Sequence, residues 1–339
     1  MNSKKILGIN QFRLIAAVMI IAIYTFPFGS ADSNLNTLLT LTLFRIAVPF
    51  FFLVTGYFVL GNIVVETTSS SKRNYLLFLK RQCKFYLLVT LLYVPLAIYN
   101  GNLSLDTSVK QLIKLLVFEG IMYHLWYFPA VILGSLVVII MLKHLSFKTT
   151  IFVSSLLYVM GVFGDSWYGV VRENVTLKIF YSLIFDSVGY TRNGLFFVPL
   201  FLCIGIYLRK VSQQDIDFFR MKLFSIIFLF TLLCEGYFVH RFSLPKHDSM
   251  YISLPFVLLF IFPLILKWYP KIHLKLAKEK SMIMYVIHPW FIATLHFISQ
   301  WIILLKNNFI NFIVVVALSY CASFLAINFR KRGIFYRKK

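Results

Sequence analysis

Apolar residues in this chain come in long unbroken runs, not in the one-sided stripes of a water-soluble helix. Ten such runs are found, at residues 12–28, 38–60, 85–99, 124–142, 150–164, 194–208, 223–239, 250–268, 281–301 and 308–329. About 20 apolar residues in a helix match the thickness of a bilayer core. The runs are too long for barrel strands, and an open strand would leave backbone groups unpaired in lipid. The pattern predicts an all-α membrane protein of about ten transmembrane helices, a single polytopic domain over 1–339 with no soluble catalytic domain. No internal repeat or low-complexity linker divides it. Two loops on one side are longer than the rest. Residues 100–123 include the amphipathic stretch Val109–Phe118, suited to a membrane surface, and 165–193 carry several charges.

Composition agrees. Sixty per cent of the 339 residues are hydrophobic and 14% are charged. The net charge of +22 would point to nucleic acid in a soluble protein, but its placement gives another reading. Assigning loops alternately to two sides puts 24 Lys and Arg on one and 8 on the other, with Arg13 and Arg45 inside runs. This bias predicts both termini in the cytoplasm and no nucleic-acid partner. Anionic lipid on the Arg330–Lys339 tail is a secondary expectation. The first run, with Lys4, Lys5 and Gly29-Ser30-Ala31, also has the form of a signal peptide; we expect it to be retained as a span. The cysteines Cys83, Cys203, Cys234 and Cys321 have no metal or redox spacing and read as packing residues. Phosphate-loop, dinucleotide, zinc-protease and serine-hydrolase patterns are absent, so no cofactor and no metal is expected.

Polar residues inside or beside the runs are the candidates for function. Arg45 lies within the second run, where a charge faces a bundle interior, faces water or snorkels to the surface. Pro49 frees a carbonyl there, and Gly56 permits close helix packing. His124 opens the fourth run amid Tyr123, Trp126 and Tyr127; the last two fit an interfacial aromatic belt. Asp165 and Arg192 flank the second long loop. Either they pair with each other, or they meet the ammonium and carboxylate of a zwitterion. Glu235, inside the seventh run, needs a partner or a proton; it either pairs with Arg45 or carries a proton. His247 and Asp248 are adjacent in a polar loop and have the residue types of a catalytic dyad. His288 and His296, eight apart, fall roughly on one helix face. Together Arg45, His124, Asp165, Arg192, Glu235, His247 and Asp248 form a candidate substrate path.

Several stretches resemble the acyltransferase-3 family. They are Asn10-Gln11-Phe12-Arg13 with Tyr24, Arg45 with Val48-Pro49-Phe50-Phe51 and Gly56, and the ten-run layout. The segments Tyr123–Ala130, Gly164–Trp167, Thr191–Gly194, Pro199–Cys203 and Pro245–Tyr251 are similar to the membrane domain of VanT-type serine racemases of vancomycin resistance. The first resemblance implies acyl transfer from cytoplasmic acyl-CoA to a cell-envelope acceptor, with Arg13 at a catalytic position. In the family an Asp and a His occupy the positions held here by Asn10 and Tyr24. A tyrosine with pKa near 10 is a poor substitute for an imidazole base. The second resemblance implies a multi-pass protein of the bacterial plasma membrane that supplies L-serine to a pyridoxal-phosphate (PLP)-dependent serine racemase. That racemase would be a separate cytoplasmic chain.

Overall fold

The computed structural model describes residues 3–29, 32–66, 69–104, 106–211, 217–270 and 274–336. Ser30 and Ala31 of the cleavage-like segment, Lys271, and Arg337 to Lys339 of the basic tail lie outside the described residues. Among the described residues the regular structure is helical and no strand is present.

The principal helices are α1 (Ser3–Thr25), α2 (Ala47–Thr55), α3 (Ser69–Tyr99), α4 (Tyr127–His144), α5 (Phe147–Phe163), α6 (Val175–Val188), α7 (Val198–Val211), α8 (Phe218–Arg241), α9 (Leu254–Lys267), α10 (Ala277–Ile298) and α11 (Asn308–Tyr336). Seven stretches are helical, long and apolar enough to cross a membrane: Leu7–Thr25, Ser33–Val65, Ser70–Tyr99, Tyr127–His144, Phe218–Arg241, Ala277–Ile298 and Asn308–Arg330. The fifth, sixth and eighth apolar runs form the shorter helices α5, α7 and α9. This is a multi-pass membrane protein. Exposed Leu87, Leu88, Leu91, Ile226, Phe230 and Phe324 cover the long helices, a surface suited to lipid and costly in water.

Two expectations about loops are revised. The basic residues Lys72, Arg73, Lys80, Arg81 and Lys84, with Cys83, lie on α3 and not in a loop. Nothing between 69 and 84 breaks a helix, and Leu, Lys, Arg and Gln favour one. The long loop 165–193 likewise contains α6, with its N-cap at Asn174. Of the cysteines, Cys203 is buried and packs against Ser154, whereas Cys83, Cys234 and Cys321 are exposed.

The chain forms two compact units. The first comprises Met1–Val48, Phe218–Tyr237 and Phe260–Lys339. Its core joins α1, α10 and α11 through Ala17, Ile21, Met284, Leu295 and Val315. Phe224 and Phe228 stack on Phe260 at 5.0 and 5.3 Å between ring centroids. The second comprises Pro49–Asp217 and Phe238–Leu259. Its core is aromatic: Phe52 stacks on Tyr127 at 5.1 Å and meets Phe197 edge-on at 5.9 Å. Gly56 seats the chain against α7. A Cβ there would lie 2.8 Å from Leu202 Cα and closer still to its carbonyl oxygen. Gly205 returns the contact, since its Cβ would lie 2.6 Å from Tyr57 N. Only small residues permit backbones to approach this closely.

Candidate functional site

In the first unit, Asn10-Gln11-Phe12-Arg13 does three local jobs. Arg13 Nη1 donates to Asn10 Oδ1 at 3.2 Å, one turn back on α1. Gln11, nearly buried, pairs with the backbone of Leu274: its Nε2 donates to the carbonyl at 3.0 Å, and its Oε1 accepts from the N–H at 3.2 Å. Asn10 and Gln11 also border a cavity of about 290 Å³, with Lys275, Lys278 and Glu279 on its rim. Further along α1, Tyr24 stacks on His288 of α10, ring centroids 5.7 Å apart and planes inclined 22°. His288 is fully buried, and its Nδ1 lies 2.8 Å from the Tyr285 carbonyl and 3.2 Å from that of Met284. Those acceptors place the proton on Nδ1 and leave Nε2 as the basic nitrogen.

Arg45 sits in a 3₁₀ turn, Leu43–Ile46, and is half-buried. Its Nε has no hydrogen-bond partner among the described residues. Gly236 lets α8 lie against Thr42, since a Cβ there would be 2.7 Å from Thr42 Cβ. The stretch of α8 that carries Glu235 therefore runs beside this segment. His288 and His296 do not share a face, since His296 is exposed. Eight residues advance about 800°, which leaves the two side chains about 80° apart.

In the second unit, four predicted residues come together. Asp165 lies in the turn after α5 and is fully buried. Its Oδ1 accepts from the backbone N–H of Ser249 at 2.6 Å and of Met250 at 2.9 Å. Its carbonyl takes the N–H of Lys246 at 3.0 Å, and Ser166 Oγ donates to the Met250 carbonyl. The segment 246–250 is thus laid over Asp165. Arg192 places its guanidinium 4.8 Å from the centre of the Tyr190 ring and 5.5 Å from that of Trp126. Its Nη1 reaches Ser249 Oγ at 3.5 Å. Asp165 and Arg192 act on each other electrostatically but form no ion pair among the described residues. Asp165 Oδ2 and Arg192 Nε both lack a hydrogen-bond partner. Burial pushes the Asp165 carboxyl up to about 6; Asp248 adds to this, while the two backbone N–H groups and Arg192 oppose it.

The adjacent residues His247 and Asp248 each meet a further side chain. Asp248 Oδ1 lies 3.0 Å from His240 Nε2, and the His247 ring meets Tyr190 edge-on at 4.7 Å. Asp248 thus meets a histidine on the last turn of α8. His124, fully buried, packs edge-on against Tyr93 at 4.7 Å and Tyr123 at 5.6 Å. Trp126 is core and not interfacial belt, being 5% exposed against Phe52 and Phe197. Sequence reasoning passed over Tyr190, Ser249 and the pairing role of His240. Tyr190 was within sight, two residues before Arg192, whereas Ser249 acts mainly through a backbone N–H that any residue would supply.

The chain is 43% identical over 332 residues to a serine/alanine racemase of Enterococcus gallinarum, covering 98% of this chain and 47% of that protein. It is 40% identical over 325 residues to an amino-acid racemase of Enterococcus faecalis, covering 96% and 46%. A second Enterococcus faecalis amino-acid racemase is 37% identical over 251 residues, covering 73% and 34%. The chain thus spans about half the length, or less, of the curated relatives it matches. No solved structure matches it. A family model described as an acyltransferase domain covers residues 6–328, and the chain belongs to the acyltransferase-3 family.

Proposed function

We propose that this chain is the membrane part of a VanT-like, D-serine-producing vancomycin-resistance system. In it the chain takes up L-serine across the bacterial plasma membrane for a PLP-dependent racemase partner in the cytoplasm. The observation that carries the reading is the cluster of Asp165 and Arg192. A buried carboxylate and a half-buried guanidinium share one site, each with an unspent polar atom, and form no ion pair with each other among the described residues. Amino acids carry the complementary charges at both ends. The name of one relative, a serine/alanine racemase, supports the choice of serine. In this reading ten spans put both termini inside, His124 and the His240–Asp248 pair flank the amino-acid site, and Arg45 and Glu235 are auxiliary polar groups. Uptake of labelled L-serine into proteoliposomes tests it. Uptake above that of protein-free vesicles is expected, and its absence with and without a proton gradient overturns the reading.

A second reading, membrane O-acyl transfer from acyl-CoA to an envelope component, is favoured by one observation. Arg13 is held by Asn10 beside a cavity with a basic rim, as a phosphate-bearing donor would need. Against it stands Tyr24 in place of the base. Turnover of acyl-CoA by the unmodified chain would establish this reading over the first.

A further inference from the structure

A buried carboxylate ordinarily satisfies both oxygens. Asp165 satisfies one. Oδ1 accepts two backbone N–H groups, while Oδ2 has no hydrogen-bond partner among the described residues, although the residue is fully enclosed. An enclosed ionised oxygen requires a positive partner, and the unspent oxygen can take a proton or an ammonium group. Arg192 presents the opposite need. Its guanidinium lies between the rings of Trp126 and Tyr190, and its Nε is unspent. Ser249 bridges the two, giving its N–H to Asp165 and its hydroxyl oxygen to Arg192.

We infer that this cluster binds an α-amino-acid zwitterion in exchange for a proton held on Asp165. The ammonium replaces the proton at Oδ2, and the carboxylate takes the Nε edge of Arg192. This rests on the amino-acid supply reading above and adds the ion that binding displaces. The segment 246–250, tied to Asp165 through the N–H groups of Lys246, Ser249 and Met250, must lift to admit the ligand.

The other titratable groups around Asp165 have other partners. From the segment that covers it, Lys246 lies over the Phe185 ring at 3.4 Å, His247 packs on Tyr190, and Asp248 pairs with His240. From the turn at 190–193 comes Arg192. The Tyr158 phenol is engaged with the Tyr251 carbonyl, and that of Tyr181, whose ring packs on Gly164, with the Met160 carbonyl. His240 and Asp248 are 16% and 23% exposed, so water solvates their charges, whereas Asp165 has none. Burial holds the Asp165 carboxyl at about 6, so that it carries a proton in mild acid and is readily displaced near neutrality.

The test uses the purified full chain in detergent with L-serine as the probe, read by calorimetry and by an indicator dye in weak buffer. Serine is expected to bind about tenfold more weakly at ~pH 5 than at ~pH 7.5, and to release about half a proton per serine at ~pH 6 and almost none at ~pH 8. Asp165→Asn, which keeps an oxygen for the two N–H groups, is expected to lose the proton release and at least about tenfold in affinity. Ethanolamine and 3-hydroxypropionate, each lacking one charge, are expected to compete at least about tenfold less well than serine. Serine binding that is independent of pH and releases no proton overturns the exchange and leaves the supply reading intact. Undiminished release by Asp165→Asn assigns the proton to His240 and also overturns it. Failure of the folded wild-type chain to bind serine at any pH overturns the supply reading as well.

Discussion

Tyr24 of α1 stacks on His288 of α10, so an imidazole from a different helix lies beside position 24. The ring is held by the carbonyls of Met284 and Tyr285 with Nδ1 as donor, an orientation set by the backbone of α10. The phenol at position 24 therefore has an imidazole for a neighbour.

Replacing that phenol tests what the stack conceals. The wild-type chain is expected to turn over no acyl-CoA in proteoliposomes, and Tyr24→His is expected to give measurable turnover with a cell-envelope acceptor. Thiol release is the readout. Turnover by the wild type would favour acyl transfer, and silence from both proteins would show that more than one residue separates this chain from catalysis.

Stability should depend on pH through Asp165. Its carboxyl titrates near about 6 in the folded chain, against 3.8 as the ordinary value. Below the lower value both states hold the proton, and the favourable contribution is complete. It falls as pH rises through that interval and is lost above about 6, a difference of about 3 kcal/mol. Thermal unfolding in detergent from pH ~4 to ~7 should show this fall in the wild type and lack it in Asp165→Asn. Equal slopes would mean that the carboxyl is not desolvated as the geometry requires.

Arg192→Lys keeps the charge but not the planar fork that lies between Trp126 and Tyr190. Serine uptake should fall about tenfold or more, with the protein still folded. Uptake unchanged in the lysine variant would show that a point charge is enough and that the two aromatic rings have no part in recognition.

Gly56→Ala places a methyl group against the Leu202 backbone, which cannot rotate away as a side chain could. A loss of about 1–3 kcal/mol is expected, seen as a lower unfolding temperature in detergent. Gly101, whose Cβ would meet nothing within 4 Å, is the matched position for conformational cost alone, because its φ of +73° penalises alanine without a clash.

Much of the fold was readable because lipid imposes one rule, that backbone groups bond within their own helix. The apolar runs therefore marked the helices, and Gly56 marked a close crossing. The ends were harder. The basic stretch 72–84 read as a loop because charge was weighed above helix propensity. The site was readable in part. Asp165 and Arg192 stood out as charges flanking one loop, but their common neighbour Ser249 acts mainly through an N–H, which leaves no mark in a sequence. Adjacency at His247 and Asp248 gave no sign of their further neighbours, Tyr190 beside the ring and His240 beside the carboxylate. The meeting of Tyr24 with His288 joins opposite ends of the chain, and no local pattern announces such contacts.

The clasp of Gln11 on the Leu274 backbone has a consequence for the order of synthesis. An amide that gives and takes one hydrogen bond with a distant peptide cannot close until that peptide has left the ribosome. The unit containing α1 is assembled from three separated stretches, whereas most of the other is continuous. The first helix to enter the bilayer must then wait there with its clasp open until the last helices arrive. Truncated nascent chains ending before Leu274 should leave a cysteine at position 11 open to thiol reagents, and full-length chains should protect it.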